Sequence, residues 1–200
     1  MPVPAKDRAG EARHREILET AARLICKAGY EGTSVQEIAL ACGLTKAGLY
    51  HHIPSKERLL YEIMSYGMDL FEEQVLSRVE NIADPLERLK SCMARNVELV
   101  TLGASKEVTI ILHETDTLTG HSRATINARK KRYVRFLETA FREAMKRGQI
   151  REVNPTVAAF GFLGMVLWTY KWFKPSGKLS ARQVAEGMVD LLFTGLAAGG

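Results

Sequence analysis

Cysteine is scarce: Cys26, Cys42 and Cys92 are the only three in 200 residues, an odd number at wide spacings with no C-x-x-C pair. Such a pattern argues against a disulfide framework and a structural zinc site, and a reducing cytoplasm suits it best. Long apolar runs are missing too. The longest nearly uninterrupted one, Val157 to Tyr170, has 14 residues, where a membrane-spanning helix needs about 20. The first ten residues are polar and lack the apolar stretch of a secretory signal. No alternating strand pattern bounded by hairpin turns, internal repeat or low-complexity tract occurs. Catalytic signatures are also lacking: there is no G-x-S-x-G, no phosphate-cradling glycine loop and no H-E-x-x-H, so no catalytic role is expected. Nor is there a strong excess of one charge. The 28 basic and 23 acidic residues leave +5, which permits a polyanionic partner without demanding one, so any nucleic-acid site must be a local patch.

What is present is helical periodicity. The spacing implies an all-α chain of about nine helices, three small and six longer. A first helix over about Glu11 to Ala28 places Ile17, Ala21, Leu24, Ile25 and Ala28 on one stripe, and Gly29 stops it. Thr33 or Ser34 caps a short helix whose Val35, Ile38, Ala39 and Cys42 fall at i, i+3, i+4 and i+7, ended by Gly43. Leu44 points inward, Thr45 caps a third short helix from Lys46 to about His51, and Pro54 interrupts it. Ser55 caps a long helix to about Val79. Asp84-Pro85 opens another toward Leu102, followed by a segment near Ser105 to Asp116. Thr119-Gly120-His121 reads as a loop before a basic helix from Ser122 to Arg147, stopped by Gly148. Asn154-Pro155 starts an apolar helix running to about Phe173, and Pro175-Ser176-Gly177 separates it from an amphipathic one near Ala181 to Leu196.

The informative stretch is Gly32 to Lys56, GTSVQEIALACGLTKAGLYHHIPSK. It encodes two short helices at a tight glycine-containing turn, the geometry that lets the second helix lie in a major groove. The small Ala47 and Gly48, flanked by Lys46 and Tyr50, leave the second helix low in bulk and rich in donors, so backbone and side chains could approach base edges and phosphates. Adjacent residues such as His51 and His52 point about 100° apart on a helix and do not easily share a metal ion. No metal site is expected.

From about Glu11 to Leu60 the chain resembles the DNA-binding domain of the TetR family. The resemblance is carried by an apolar first helix ending in Gly-Tyr, then Thr-Ser-Val-x-x-Ile-Ala, Gly-Leu-Thr-Lys-x-x-Leu-Tyr-His-His and Ser-Lys-Glu-x-Leu-Leu. It implies a bacterial transcriptional repressor, with a helix-turn-helix domain over residues 1–58 and a ligand-binding and dimerisation domain over 59–200. By the same resemblance Ser34, Thr45, Tyr50, His51, His52 and Lys56 would hold phosphates. Gln36, Lys46, Ala47 and Gly48 would face bases, and Ile38, Ala39, Leu44 and Leu49 would form the small core. The partners implied are double-stranded operator DNA, a second copy of the chain and a small-molecule inducer; no membrane and no resident cofactor are expected.

The body carries two large apolar faces, one from Phe160, Leu163 and Leu167 and one from Val184, Met188 and Leu191. Such surfaces mean core or subunit interface, and the resemblance favours a four-helix homodimer contact, which would present two recognition helices to a palindromic site. Trp168, Lys171 and Trp172 combine aromatic and basic character, and Arg132 sits in a cationic cluster. With His113 they would suit an apolar chain bearing a phosphorylated head. The segments Asp84-Pro-Leu-Glu-Arg-Leu, His113-Glu114 and Trp-x-x-x-Trp-Phe-x-Pro-x-Gly resemble the TetR regulators that answer to acyl-CoA thioesters. The alternative for these residues is that the aromatics are core and the basic run is a solvated helix face. For the whole chain it is a helical ligand-binding or interaction protein acting as activator or co-regulator, and salt-dependent operator binding separates the two.

Overall fold

The computed structural model describes residues 5–103 and 105–195, and among them there are helices and no strand. In chain order they are α1 (Ala5–Ala28), α2 (Val35–Ala41), α3 (Lys46–His52), α4 (Lys56–Phe71), α5 (Ser77–Val79), α6 (Pro85–Glu98), α7 (Ser105–His113), α8 (Gly120–Lys146), α9 (Pro155–Leu167), α10 (Thr169–Trp172) and α11 (Ala181–Phe193). A π-turn over Glu72–Leu76 makes α4 and α5 one continuous run to Val79, a second π-turn over Leu99–Gly103 extends α6, and a 3-10 turn spans Thr115–Thr117. The expected end of the last helix at Leu196 lies outside the described residues.

Most boundaries follow from the caps. Ser55 accepts from the Arg58 amide, Asp84 from Glu87 and Asn154 from Thr156 and Val157. Gly29, Gly43 and Gly148 have φ of 77°, 65° and 67°, the left-handed conformation that ends a helix cheaply only for glycine. Two expectations are corrected. Gly120 and His121 are not loop but the opening of α8, because Gly120 turns at φ 48° and the Thr119 carbonyl already accepts the Arg123 amide. The apolar helix does not run unbroken to Phe173: it stops at Leu167, and α10 restarts at Thr169, whose hydroxyl donates to the Val166 carbonyl.

The chain forms two compact units, Met1–Gly67 with Lys106–Ile126, and Met68–Ser105 with Asn127–Gly200. The sequence division at residue 58 thus differs from the contact pattern, since the first unit takes most of α4, α7 and the first turns of α8. Its core is Ile17, Ala21, Ala22 and Ile25 of α1, Ile38 and Ala39 of α2, Leu49 of α3, and Leu60, Ile63 and Met64 of α4, all at most 2% exposed. Of the expected α1 stripe, Leu24 is only half-buried and Ala28, beside the Gly29 turn, is exposed; Leu18 and Ala22 are buried instead. The core of the second unit is built from α6, α8, α9 and α11, including Leu89, Met93, Leu137, Phe141, Phe162 and Val166.

In the first unit α4 and α7 approach so closely that a Cβ on Gly67 would stand 2.8 Å from Glu107 Cβ and 3.0 Å from Ile111 Cδ1. Glu107 is itself 6% exposed, and burial raises its carboxyl above the ordinary pKa of 4.5. Gly67→Ala should therefore destabilise the protein by about 1–3 kcal/mol through overpacking, despite the roughly 1 kcal/mol that alanine contributes in helix propensity. Gly10→Ala, in α1 with nothing within 4 Å, should stabilise it. Urea unfolding of the pair measures both signs.

Candidate nucleic-acid interface

Local sequence builds α2 and α3 from their caps. Ser34 Oγ accepts from the Glu37 amide at 3.1 Å while Glu37 Oε2 accepts from the Ser34 amide at 2.7 Å, a reciprocal capping box that also lowers the Glu37 pKa. The turn after α2 is closed by amides of Gly43 and Leu44 donating to the carbonyls of Leu40 and Ala39 at 3.0 and 2.8 Å. Thr45 then caps α3, its Oγ1 accepting from Gly48 N at 3.0 Å. Leu49 and Ile53, each 2% exposed, anchor α3 to the small core. Burying a leucine of this kind stabilises by about 2 kcal/mol.

With Leu49 and Ile53 fixed inward, most of the rest of this short helix faces solvent. Lys46, Ala47, Tyr50, His51 and His52 are all exposed, as are Ser34, Gln36 and Thr45 on the neighbouring turns. The structure brings these eight together on α2, α3 and the turn between them. Gly48 is half-buried, and a Cβ there would meet Thr45 Oγ1 at 3.2 Å, so its small size serves the cap as well as the surface. Lys56 is half-buried with its ammonium 4.1 Å from the centre of the Tyr30 ring, a cation–π contact that fixes the start of α4 against the end of α1. Of the four core residues expected here, Ile38, Ala39 and Leu49 are buried and Leu44 is half-buried.

Sequence reasoning missed the ties around this surface. Glu57 Oε1, one residue past Lys56, accepts from Thr119 N at 3.0 Å and Thr119 Oγ1 at 2.8 Å, and these bonds lower its pKa. The Tyr30 amide donates to Glu114 Oε1 at 3.3 Å, and Arg13 donates to the Cys42 carbonyl at the end of α2. Only the acidic residue after Ser-Lys was visible beforehand, and nothing paired it with a threonine 62 positions away.

Two family models cover the chain: "Bacterial regulatory proteins, tetR family" over residues 17–63 and "Tetracyclin repressor-like, C-terminal domain" over 83–196. The chain belongs to the TetR family. Among its relatives, the HTH-type transcriptional repressor KstR2 of Rhodococcus jostii (strain RHA1) is 30% identical over 206 aligned positions, covering 98% of this chain and 97% of that one. Among solved structures, AibR in complex with isovaleryl coenzyme A and operator DNA is 69% identical with a TM-score of 0.86, over 90% of this chain and 98% of that one. The TetR-family regulator PfmR from Thermus thermophilus is 34% identical with a TM-score of 0.83, over 91% and 99%. The family is one of transcriptional regulators. The capped α2, α3 and the Gly43 turn fall inside its N-terminal model.

The TetR body places the remaining candidates less compactly. His113 ends α7 in the first unit and is exposed. In the second unit Arg132 pairs with Glu72 at 2.8 Å, Lys171 Nζ lies 5.2 Å from the Tyr170 ring centre, and Trp168 and Trp172 are 60% and 46% exposed. The two indoles thus face outward and do not wall an enclosed space. A recess of about 1040 Å³ between α6 and α11, bordered by Leu86, Lys90, Ala94, Ala185, Val189 and Phe193, contains none of these residues. Among the described residues no group of three or more His, Cys, Asp or Glu could hold a metal, and no helix is long and apolar enough to cross a membrane.

Of the residues expected at a subunit contact, Leu163, Val184 and Met188 are buried within the chain's own core and Leu167 is half-buried; Phe160 and Leu191 are 57% and 44% exposed. Helical phase explains the difference. The solvent-facing stripe of α9 is Val157, Phe160, Gly161 and Gly164, continued by Trp168 just past its end, with nothing within 4 Å of a Cβ at either glycine.

Thr45→Ala should destabilise the free protein by about 1 kcal/mol, because the Gly48 amide loses its acceptor, whereas Thr45→Ser should retain most of that. Thermal unfolding without DNA reads the difference.

Proposed function

We propose that this TetR-family protein is a cytoplasmic, dimeric transcriptional repressor that binds a palindromic operator through α3 and leaves it when an acyl-CoA thioester binds the helical body. The observation that carries the reading is the exposed face of α3: Lys46, Tyr50, His51 and His52 project from a helix held by Leu49, with Ala47 adding almost no bulk between them. Such a face fits the major groove, where small side chains permit close approach and donors reach bases and phosphates. Ser34 and Thr45 flank it as further donors to phosphate, and Gln36 reaches from α2.

Dimerisation supplies the second copy of that face. The exposed stripe Val157, Phe160, Gly161 and Gly164 on α9, with Trp168 just past its end and Gly187 and Leu191 exposed on α11, is the surface that supports it. Apolar side chains alternating with glycines favour close helix packing about a two-fold axis. The thioester reading draws on the likeness to AibR, which was crystallised with isovaleryl coenzyme A and operator DNA, and on the cationic α8. Release then has a short route inside the first unit. Displacing the Lys106–Ile126 segment pulls on α4 at Glu57 and on the end of α1 at Tyr30 through the bonds to Thr119 and Glu114.

Tyr50→Ala should weaken operator binding about tenfold without changing its salt dependence, since a neutral donor releases no counterion. Lys56→Ala should lower the slope of log K against log salt by about 2 per dimer, one phosphate for each half-site. Fluorescence anisotropy on a labelled operator at several salt concentrations checks both, and unchanged isotherms would contradict the assignment. Titrating a panel of acyl-CoA thioesters and the matching free acids into the operator complex should release DNA with a thioester and not with its acid. No release by any thioester would remove the effector reading.

A further inference from the structure

The second unit contains a polar cluster inside an otherwise apolar core. Cys92 and Asn96, one turn apart on α6, are 0% and 2% exposed, and Tyr133 on α8 is 8% exposed. Asn96 Nδ2 donates to the Cys92 carbonyl at 2.7 Å and to Tyr133 Oη at 2.8 Å. Tyr133 Oη, which accepts from the amide, lies 3.5 Å from Cys92 Sγ, a contact in which either group can donate and in which sulfur is only a weak acceptor for the phenol. A buried phenol whose hydroxyl faces only sulfur is better satisfied by an oxygen acceptor. Burial pushes the Tyr133 phenol well above 10 and the Cys92 thiol up to about 12, so both keep their protons at neutral pH.

Two further features converge here. The Phe71 ring lies 4.3 Å from that of Tyr133, centre to centre, and Phe71 is the last residue before the π-turn Glu72–Leu76. The second π-turn begins at Leu99, three residues past Asn96. π-turns are uncommon, widen the helix locally and recur at functional sites. Both of those described flank this one cluster.

We propose that Tyr133 and Asn96 read the carbonyl oxygen of the effector's acyl thioester, with the Phe71 ring beside the acyl chain. The inference rests on the effector reading above and adds the residues that set its chemistry. The carbonyl oxygen replaces the thiol as acceptor for the Tyr133 hydroxyl, while the Asn96 amide keeps the phenol oriented. A free carboxylate is excluded, because its charge enters a desolvated site where the neighbouring Arg129 and Arg132 are paired with Asp69 and Glu72.

The test compares isovaleryl-CoA with its thioether analogue, in which the carbonyl is a methylene, by calorimetric titration of the full-length protein. Wild type should bind the thioester about tenfold more tightly, the worth of one buried hydrogen bond. Tyr133→Phe should bind both equally, and Cys92→Ala, which leaves Tyr133 and Asn96 in place, should keep the preference. The infrared stretch of a 13C-labelled thioester carbonyl should move to lower frequency on binding wild type, a readout that needs no variant to fold. Equal affinities for the two ligands in wild type, an unshifted carbonyl, or a preference that survives in Tyr133→Phe would overturn the assignment and leave the effector reading standing. Failure of wild type to bind either ligand would overturn both.

Discussion

The arrangement depends on the burial of one leucine. Leu49 is buried in the same unit whose core includes Ile17, Ala21, Ile38 and Ala39, and with Ile53, also buried, it fixes the rotation of α3 about its own axis. Because successive residues are about 100° apart, choosing Leu49 as the inward residue sends Ala47 and His51 to the opposite side and Tyr50 to the flank, while Lys46 is exposed as the first residue of the helix. The caps set the length of the helix and the core sets its phase. Substituting a polar residue at 49 would do more than cost stability, since it would release the phase on which the outward face relies.

The same small core explains why the first unit extends beyond the helix-turn-helix. The α1 helix and the two short helices α2 and α3 bury little apolar surface, and α4 and α7 enlarge the core with Leu60, Ile63, Met64, Val108 and Ile110. Gly67 permits the approach of α7, and the Glu57 to Thr119 and Tyr30 to Glu114 hydrogen bonds tie the chain on either side of the 3-10 turn to α4 and α1. A unit built this way couples its recognition helices to a segment distant in sequence by ordinary packing and hydrogen bonds.

Much of this was legible in the residues. The caps Ser34, Thr45, Ser55, Asp84 and Asn154 act locally, so each was readable from a few neighbours. The outward face of α3 followed from periodicity together with the family resemblance. What escaped was set by tertiary contact. The π-turns leave no periodic trace, Thr119 became a helix start only because Gly120 could take a positive φ, and Lys56 found the Tyr30 ring across the unit. On α9, every face reads as apolar from Val157 to Leu167, so periodicity could not tell core from free surface; Leu163 lies inside and Phe160 outside for reasons that only packing decides. The aromatic pair Trp168 and Trp172 misled in the same way, while the buried cluster of Cys92, Asn96 and Tyr133 gave no signal because its members lie up to 41 residues apart.

In the proposed function the exposed face of α3 enters the major groove once in each half of a symmetric site. Selecting bound sequences from random duplexes and footprinting the enriched fragments tests it most directly. The expected result is an inverted repeat with two protected major-groove patches whose centres are separated by a whole number of helical turns, about 10 to 10.5 base pairs or a multiple. Enrichment of an asymmetric single site, or no enrichment over the starting pool at physiological salt, would contradict it.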